Sequence, residues 1–177
     1  MSIGSKIKTA FVTSLAALVL VASPAAANDE EDPKKSTSAL HVGYGVGVYP
    51  DRVFHGGSGR FNFEKGKGFF LSGGLYVGYD PDNEETVIHP QLGCGLYFSK
   101  GNNGRIGFAA YPLGLAAVEE ELAYTLSAGF IFELLFHNEM GIYAFPNAGL
   151  MFGSEKLLGD DNTGGYGALE AGLVAHF

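Results

Sequence analysis

Tryptophan is missing from this chain and cysteine occurs once, at Cys94, so no disulfide can form within it. Small exported domains commonly rely on paired cysteines, and stability here must come from another source. Basic residues are scarce, with 11 Lys and Arg against 19 Asp and Glu. A net charge of −8 makes nucleic acid a poor partner, because phosphate binding needs a basic surface. Long apolar runs are lacking as well. After residue 27 no stretch supplies the roughly 18 consecutive apolar residues of a membrane-spanning helix. Neither G-x-S-x-G nor G-x-G-x-x-G occurs, which leaves hydrolase-elbow and dinucleotide-binding readings without support.

What is present begins with an export signal. Lys6 and Lys8 precede an apolar run from Ala10 to Ala22, and Ala25 and Ala27 fit a small-residue cleavage site. Residues 1–27 are therefore expected to be a signal peptide and 28–38 a disordered lead-in, with one domain over 39–177. A chain starting at Asn28 would carry nine basic and 19 acidic residues, a net charge of −10.

Glycine is abundant, with 27 residues, alongside 14 phenylalanines and nine tyrosines. Each interior glycine costs a helix about 1 kcal/mol relative to alanine, so this composition argues for strands. The hydrophobic period is two. Leu40, Val42, Tyr44, Val46 and Val48 alternate with His41, Gly43, Gly45, Gly47 and Tyr49. Similar alternation runs over Phe69–Tyr79, Ile88–Phe98, Leu122–Leu134, Ile142–Phe152 and 168–177. The segment Arg105 to Ala117 is apolar on both faces, and Gly59 to Glu64 shows only Phe61 and Phe63 on one side. Counting both gives eight strands. Pro90, Pro112 and Pro146 fall inside strands, where a residue without an N–H fits only an edge or a bulge.

Expected connections alternate in length. Short ones are Lys65–Gly68, Lys100–Gly104 and His137–Glu139; the others are Pro50–Ser58, Asp80–Glu85, Val118–Glu121 and Gly153–Gly165. Short periplasmic turns and longer outer loops are the habit of membrane barrels, although Val118–Glu121 is brief for an outer loop. Apolar-face aromatics Phe69, Tyr79, Phe98, Phe152 and Phe177 sit toward strand ends, as an interfacial girdle would. The predicted fold is all-β, a single antiparallel up-and-down transmembrane β-barrel with eight strands. In a soluble barrel the second face should be charged, whereas here it is mostly glycine and tyrosine, which suit a narrow lumen.

At the C-terminus, Leu169, Ala171, Leu173, Ala175 and Phe177 alternate to the last residue. There the chain resembles the small outer-membrane barrel class typified by OmpX and the OmpA barrel. The resemblance implies that Leu173, Ala175 and Phe177 form the signal read by the barrel-assembly machinery. It covers architecture and assigns no activity.

Inward positions supply the candidate chemistry: Glu133, Glu170, His41 and His176 point to the lumen on this reading, with no basic residue assigned beside the acids. A buried acid can be catalytic, but a hydrogen-bonded lumen residue is the plainer reading. His41 and His176, with His137 in a nearby turn, could ligate a metal, yet no spacing specifies one. Asp80, Asp82, Glu84 and Glu85, and separately Asp160 and Asp161, make acidic outer loops suited to weak divalent cations. Glu85 and Gln91 stand where a calcium-binding EF-hand loop needs glycine and an acid, so that motif is excluded. No histidine is followed two places on by serine, the pairing of lipid A deacylases. The expectation is a non-enzymatic outer-membrane barrel with a structural or surface-interaction role, no cofactor and no catalytic residue. Its partners would be outer-membrane lipid and lipopolysaccharide. A lipid-modifying enzyme and a soluble periplasmic ligand-binding barrel are the alternatives.

Overall fold

The computed structural model describes residues 37–50, 52–65, 68–101, 103–119, 121–137, 139–153, 158 and 162–177. Residues 1–36, which hold the expected signal and most of the lead-in, lie outside them, and the first strand already includes Thr37 and Ser38. Eight strands follow in order: β1 Thr37–Tyr49, β2 Arg52–Glu64, β3 Phe69–Asp80, β4 Glu85–Gly101, β5 Gly104–Val118, β6 Glu121–His137, β7 Met140–Phe152 and β8 Thr163–His176. Each pairs antiparallel with the next, and β8 pairs with β1, so the sheet closes into a barrel without edges. Ser38 and Phe177 exchange two backbone hydrogen bonds, of 2.8 and 2.9 Å, at the end of that closing seam.

The period-two pattern resolves as anticipated. Leucines and aromatics point outward: Leu71, Leu126, Phe130 and Leu173 are 56, 37, 48 and 64% exposed. Inward positions carry glycine, tyrosine and polar side chains. Large and small residues complement one another there, as in the ring of Tyr76, which lies over Gly45 and Gly47 of β1 and donates to the Phe54 carbonyl at 2.7 Å.

Two expectations need correction. Residues 52–58 are strand, not loop: β2 extends from Arg52, placing Phe54 and Ser58 inward and Val53 and His55 outward. Its glycines resemble a loop in sequence, but Gly56 is a packing requirement, since a Cβ there would lie 1.8 Å from the Val77 carbonyl oxygen. Consequently the connection at residues 50–51 is short, and 153–162 alone is long. As expected, β5 is apolar on both faces: Ala109, Ala116 and Val118 are buried inward, and Ile106, Phe108, Leu113 and Leu115 are exposed. A bulge between Tyr111 and Gly114 shifts the alternation, so Ile106 and Phe108 point outward before it and Leu113 and Leu115 after it.

Prolines occupy irregularities, as their missing N–H demands. Pro112 sits in the β5 bulge. Pro90 and Pro146 each pair on one side, with Leu75 and Leu169, and face a gap in the ladder on the other.

Candidate functional site: the filled lumen

Three polar tiers cross the barrel interior between the end that holds Thr37 and Phe177 and the opposite, distal end. Inward alternation on every strand sends their side chains to the axis.

In the half of the barrel toward the termini stands Glu133 of β6, buried with His41 of β1 and His176 of β8. Its Oε1 lies 2.8 Å from His41 Nε2 and accepts the Tyr97 hydroxyl at 2.6 Å, while Oε2 lies 2.9 Å from His176 Nε2. An ionised carboxylate only accepts, so both imidazoles present Nε2–H to it. The chain of bonds continues from Tyr97, whose oxygen accepts from Asn62 Nδ2 at 3.3 Å. Ser72 Oγ donates to Asn62 Oδ1 at 2.6 Å and stands 2.8 Å from the Tyr111 hydroxyl. Below this tier Glu64 bonds Lys100, Arg105 at 3.4 Å and Thr37 Oγ1 at 3.3 Å, tying four strands together across the terminal mouth.

Midway, Arg60 of β2 donates from Nη2 to Glu170 Oε1 of β8 at 2.9 Å. Its guanidinium carbon lies 4.0 Å from the Phe145 ring centroid and 4.8 Å from that of Tyr111, so the cation is enclosed by an acid and two aromatic faces. Ser58 and Tyr143 hydroxyls meet at 3.1 Å beside it, and the Tyr143 ring packs edge-on against His41 at 4.8 Å.

Toward the distal end His89 is held on both ring nitrogens, by the Tyr49 hydroxyl at 3.1 Å and by Thr125 Oγ1 at 2.8 Å. Gln91 donates to the Tyr166 hydroxyl at 3.1 Å, and the Tyr49 and Tyr166 rings stack with centroids 5.5 Å apart. Leu158, Phe54 and Met151 bury apolar surface with these rings.

The four lumen candidates read from sequence are thus all buried, but in two different tiers. Glu133 gathers His41 and His176, whereas Glu170 belongs with Arg60. The expectation of no inward basic residue is overturned by Arg60, which lies well inside β2 once that strand starts at Arg52. Tyr97, Asn62, Ser72 and Arg60 were not singled out by sequence. Arg60 and Asn62 are signalled by the alternation of β2, which the glycines at 56, 57 and 59 mask, and Ser72 and Tyr97 by the inward faces of β3 and β4.

Of the histidine trio, His41 and His176 are both bonded to the carboxylate of Glu133, and the side chain of His137 lies outside the described residues. Among the described residues no group of three or more His, Cys, Asp and Glu is arranged to hold a metal ion. In the acidic distal loop Asp80 accepts from the Asp82 amide at 3.0 Å and Asn83 Nδ2 at 2.8 Å, and Glu85 pairs with Arg52. Asp160 and Asp161 lie outside the described residues. On the outer surface Leu173 and Phe177 are exposed and Ala175 is half-buried.

Chemically, Glu133 has three donors on its two oxygens and Arg60 is neutralised in place. Such an interior holds its charges in fixed pairs.

No protein-family model matches the chain, and no curated protein matches its sequence. Solved structures do match. Neisserial surface protein A is similar with a TM-score of 0.58 at 11% identity, over 80% of this chain and 97% of that one. The outer membrane protein OprG from Pseudomonas aeruginosa gives 0.56 at 8% identity, over 84% and 99%. Ail, the attachment invasion locus protein of Yersinia pestis, gives 0.53 at 11% identity, over 80% and 97%. At these identities the likeness is one of fold: the chain is a closed eight-stranded antiparallel barrel of the small outer-membrane type.

Proposed function

We propose that the protein is a non-enzymatic barrel of the bacterial outer membrane, exported by a signal in residues 1–27, with a structural or surface-interaction role. One observation carries this reading: the barrel is inside out relative to a soluble domain. Its large apolar side chains, Leu71, Leu126, Phe130 and Leu173 among them, face outward, while the lumen is filled by ion pairs and hydrogen-bonded tyrosines. Exposing that much leucine to water would be costly, and hydrocarbon removes the cost.

With the ends that hold Thr37 and Phe177 toward the periplasm, residues 81–84, Glu119 and Gly153 face outward from the cell. Asp80, Asp82, Glu84 and Glu85 make that side acidic. Divalent cations there would bridge to lipopolysaccharide phosphates. Leu173, Ala175 and Phe177 serve the barrel-assembly machinery. The soluble ligand-binding alternative is disfavoured by the outward leucines, and the enzyme alternative by the saturated Glu133 carboxylate.

Two experiments test the proposal. Detergent-extracted protein run on a gel with and without boiling should show two mobilities and fractionate with outer membranes; recovery from the soluble periplasm rejects the location. Mass spectrometry of lipid A from cells with and without the protein should give one profile. A modified species that depends on the protein rejects the non-enzymatic role.

A further inference from the structure

Between β4 and β5 the barrel wall departs from a regular ladder. Pairing passes from Ile88–Ala117 to Gln91–Gly114 with no partners between them, and Pro90 occupies the break. On β5 the bulge turns Pro112 and Leu113 outward in succession. The Tyr124 hydroxyl of β6 donates to the Pro112 carbonyl, so the bulge supplies an acceptor and the tyrosine answers it. In a medium without water such an internal partner is required.

The result is a groove of about 270 Å³ lined by Pro90, Gln91, Leu92, Leu113, Leu115 and Tyr124. We propose that it is a fixed binding site for one acyl chain of a membrane lipid. The proposal rests on the membrane placement above, because the groove opens on the outward apolar belt, where Leu92, Leu113 and Leu115 are at least half exposed. Its rim is hydrocarbon. The Gln91 amide, its most polar lining group, is already engaged inside the barrel with Tyr166, so nothing in the groove calls for a head group. Pockets for whole drug-sized ligands run from about 300 to 1,000 Å³, and this smaller volume suits a length of chain. The bulge and its tyrosine hold the shape in advance, which lowers the ordering cost of binding.

The test uses the folded protein in phosphatidylethanolamine–phosphatidylglycerol vesicles doped with a phosphatidylethanolamine that carries a diazirine midway along one acyl chain. After irradiation, peptide mass spectrometry should find adducts at Leu92 and residues 113–115 several-fold above those at Leu71 and Leu173, which are comparably exposed. Leu113→Trp fills the groove from β5 and Leu92→Phe from β4; in whichever variant retains heat-dependent gel mobility, labelling should fall to the level of the rest of the belt. Even labelling of Leu71, Leu113 and Leu173, or undiminished labelling in a folded variant, overturns the site. Adducts on none of these residues would instead remove the membrane placement itself.

Discussion

Arg60 and Glu170 reach each other at 2.9 Å over the inner face of β1, the strand that separates theirs, although 110 positions divide them in the chain. Both are almost fully buried, so the pair ties the β2–β1–β8 sector together where the barrel closes. Removing one partner strands a charge, at a cost of about 3–5 kcal/mol for a buried pair. Arg60→Met and Glu170→Gln should therefore each lower the urea midpoint of the vesicle-inserted barrel strongly, and the double variant by less than their sum. Additive losses would show that the two charges are not coupled.

Glu133→Gln preserves volume but offers one acceptor oxygen where three donors converge, from His41, His176 and Tyr97. Charge-assisted hydrogen bonds contribute about 1.5–3 kcal/mol each, so a loss of about 3 kcal/mol is expected. The same urea titration reads it. A variant as stable as the parent would mean that this cluster holds nothing in place.

Glycine substitutions separate packing from propensity. Gly172 faces Gly43 across the closing seam, and a Cβ at Gly172 would lie 2.2 Å from the Val42 carbonyl oxygen. At Gly59 a Cβ would meet nothing within 4 Å. Gly172→Ala should thus cost about 1–3 kcal/mol, as overpacking does, while Gly59→Ala keeps the parental midpoint. Equal effects would contradict the seam geometry.

Phe130 sits in the middle of β6 and is 48% exposed on the outer face. An arginine on the lipid face near the midplane costs about 2–4 kcal/mol, so Phe130→Arg should insert poorly into vesicles. In a soluble barrel the same change would be harmless. Full insertion of the variant counts against the proposed location.

Phe177 contributes its backbone to the seam and its ring, 6.3 Å from that of Phe61, only to the outer surface. Phe177→Ala should leave unassisted refolding in detergent close to parental while reducing assembled protein in cells. A parallel loss in both assays would assign Phe177 a structural role in place of a recognition role.

Strand number, inward and outward faces and the burial of Glu133, Glu170, His41 and His176 could all be read from period-two alternation, because a barrel wall separates two environments at every residue. Alternation gives direction and no partner. Only the register of β1 against β8 reveals that His41 and His176 share Glu133 of β6, and that register depends on which residues pair around the whole ring. Arg60 was hidden for a different reason. Gly56, Gly57 and Gly59 are loop formers locally, yet all three lie within β2, where Gly56 lets the Val77 carbonyl approach closely. The β5 bulge broke the parity count in the same way, by inserting one residue into an otherwise regular strand.

The hydrogen bonds joining Ser38 to Phe177 impose an order on biogenesis. A ring whose first segment is sealed by its last cannot be completed while the ribosome still holds the tail, and any shorter product keeps two raw margins ready to pair with a stranger. Closure also spends the entropy of a loop nearly as long as the domain. Such a topology is slow to fold, because its closing pairing joins the first strand to the last.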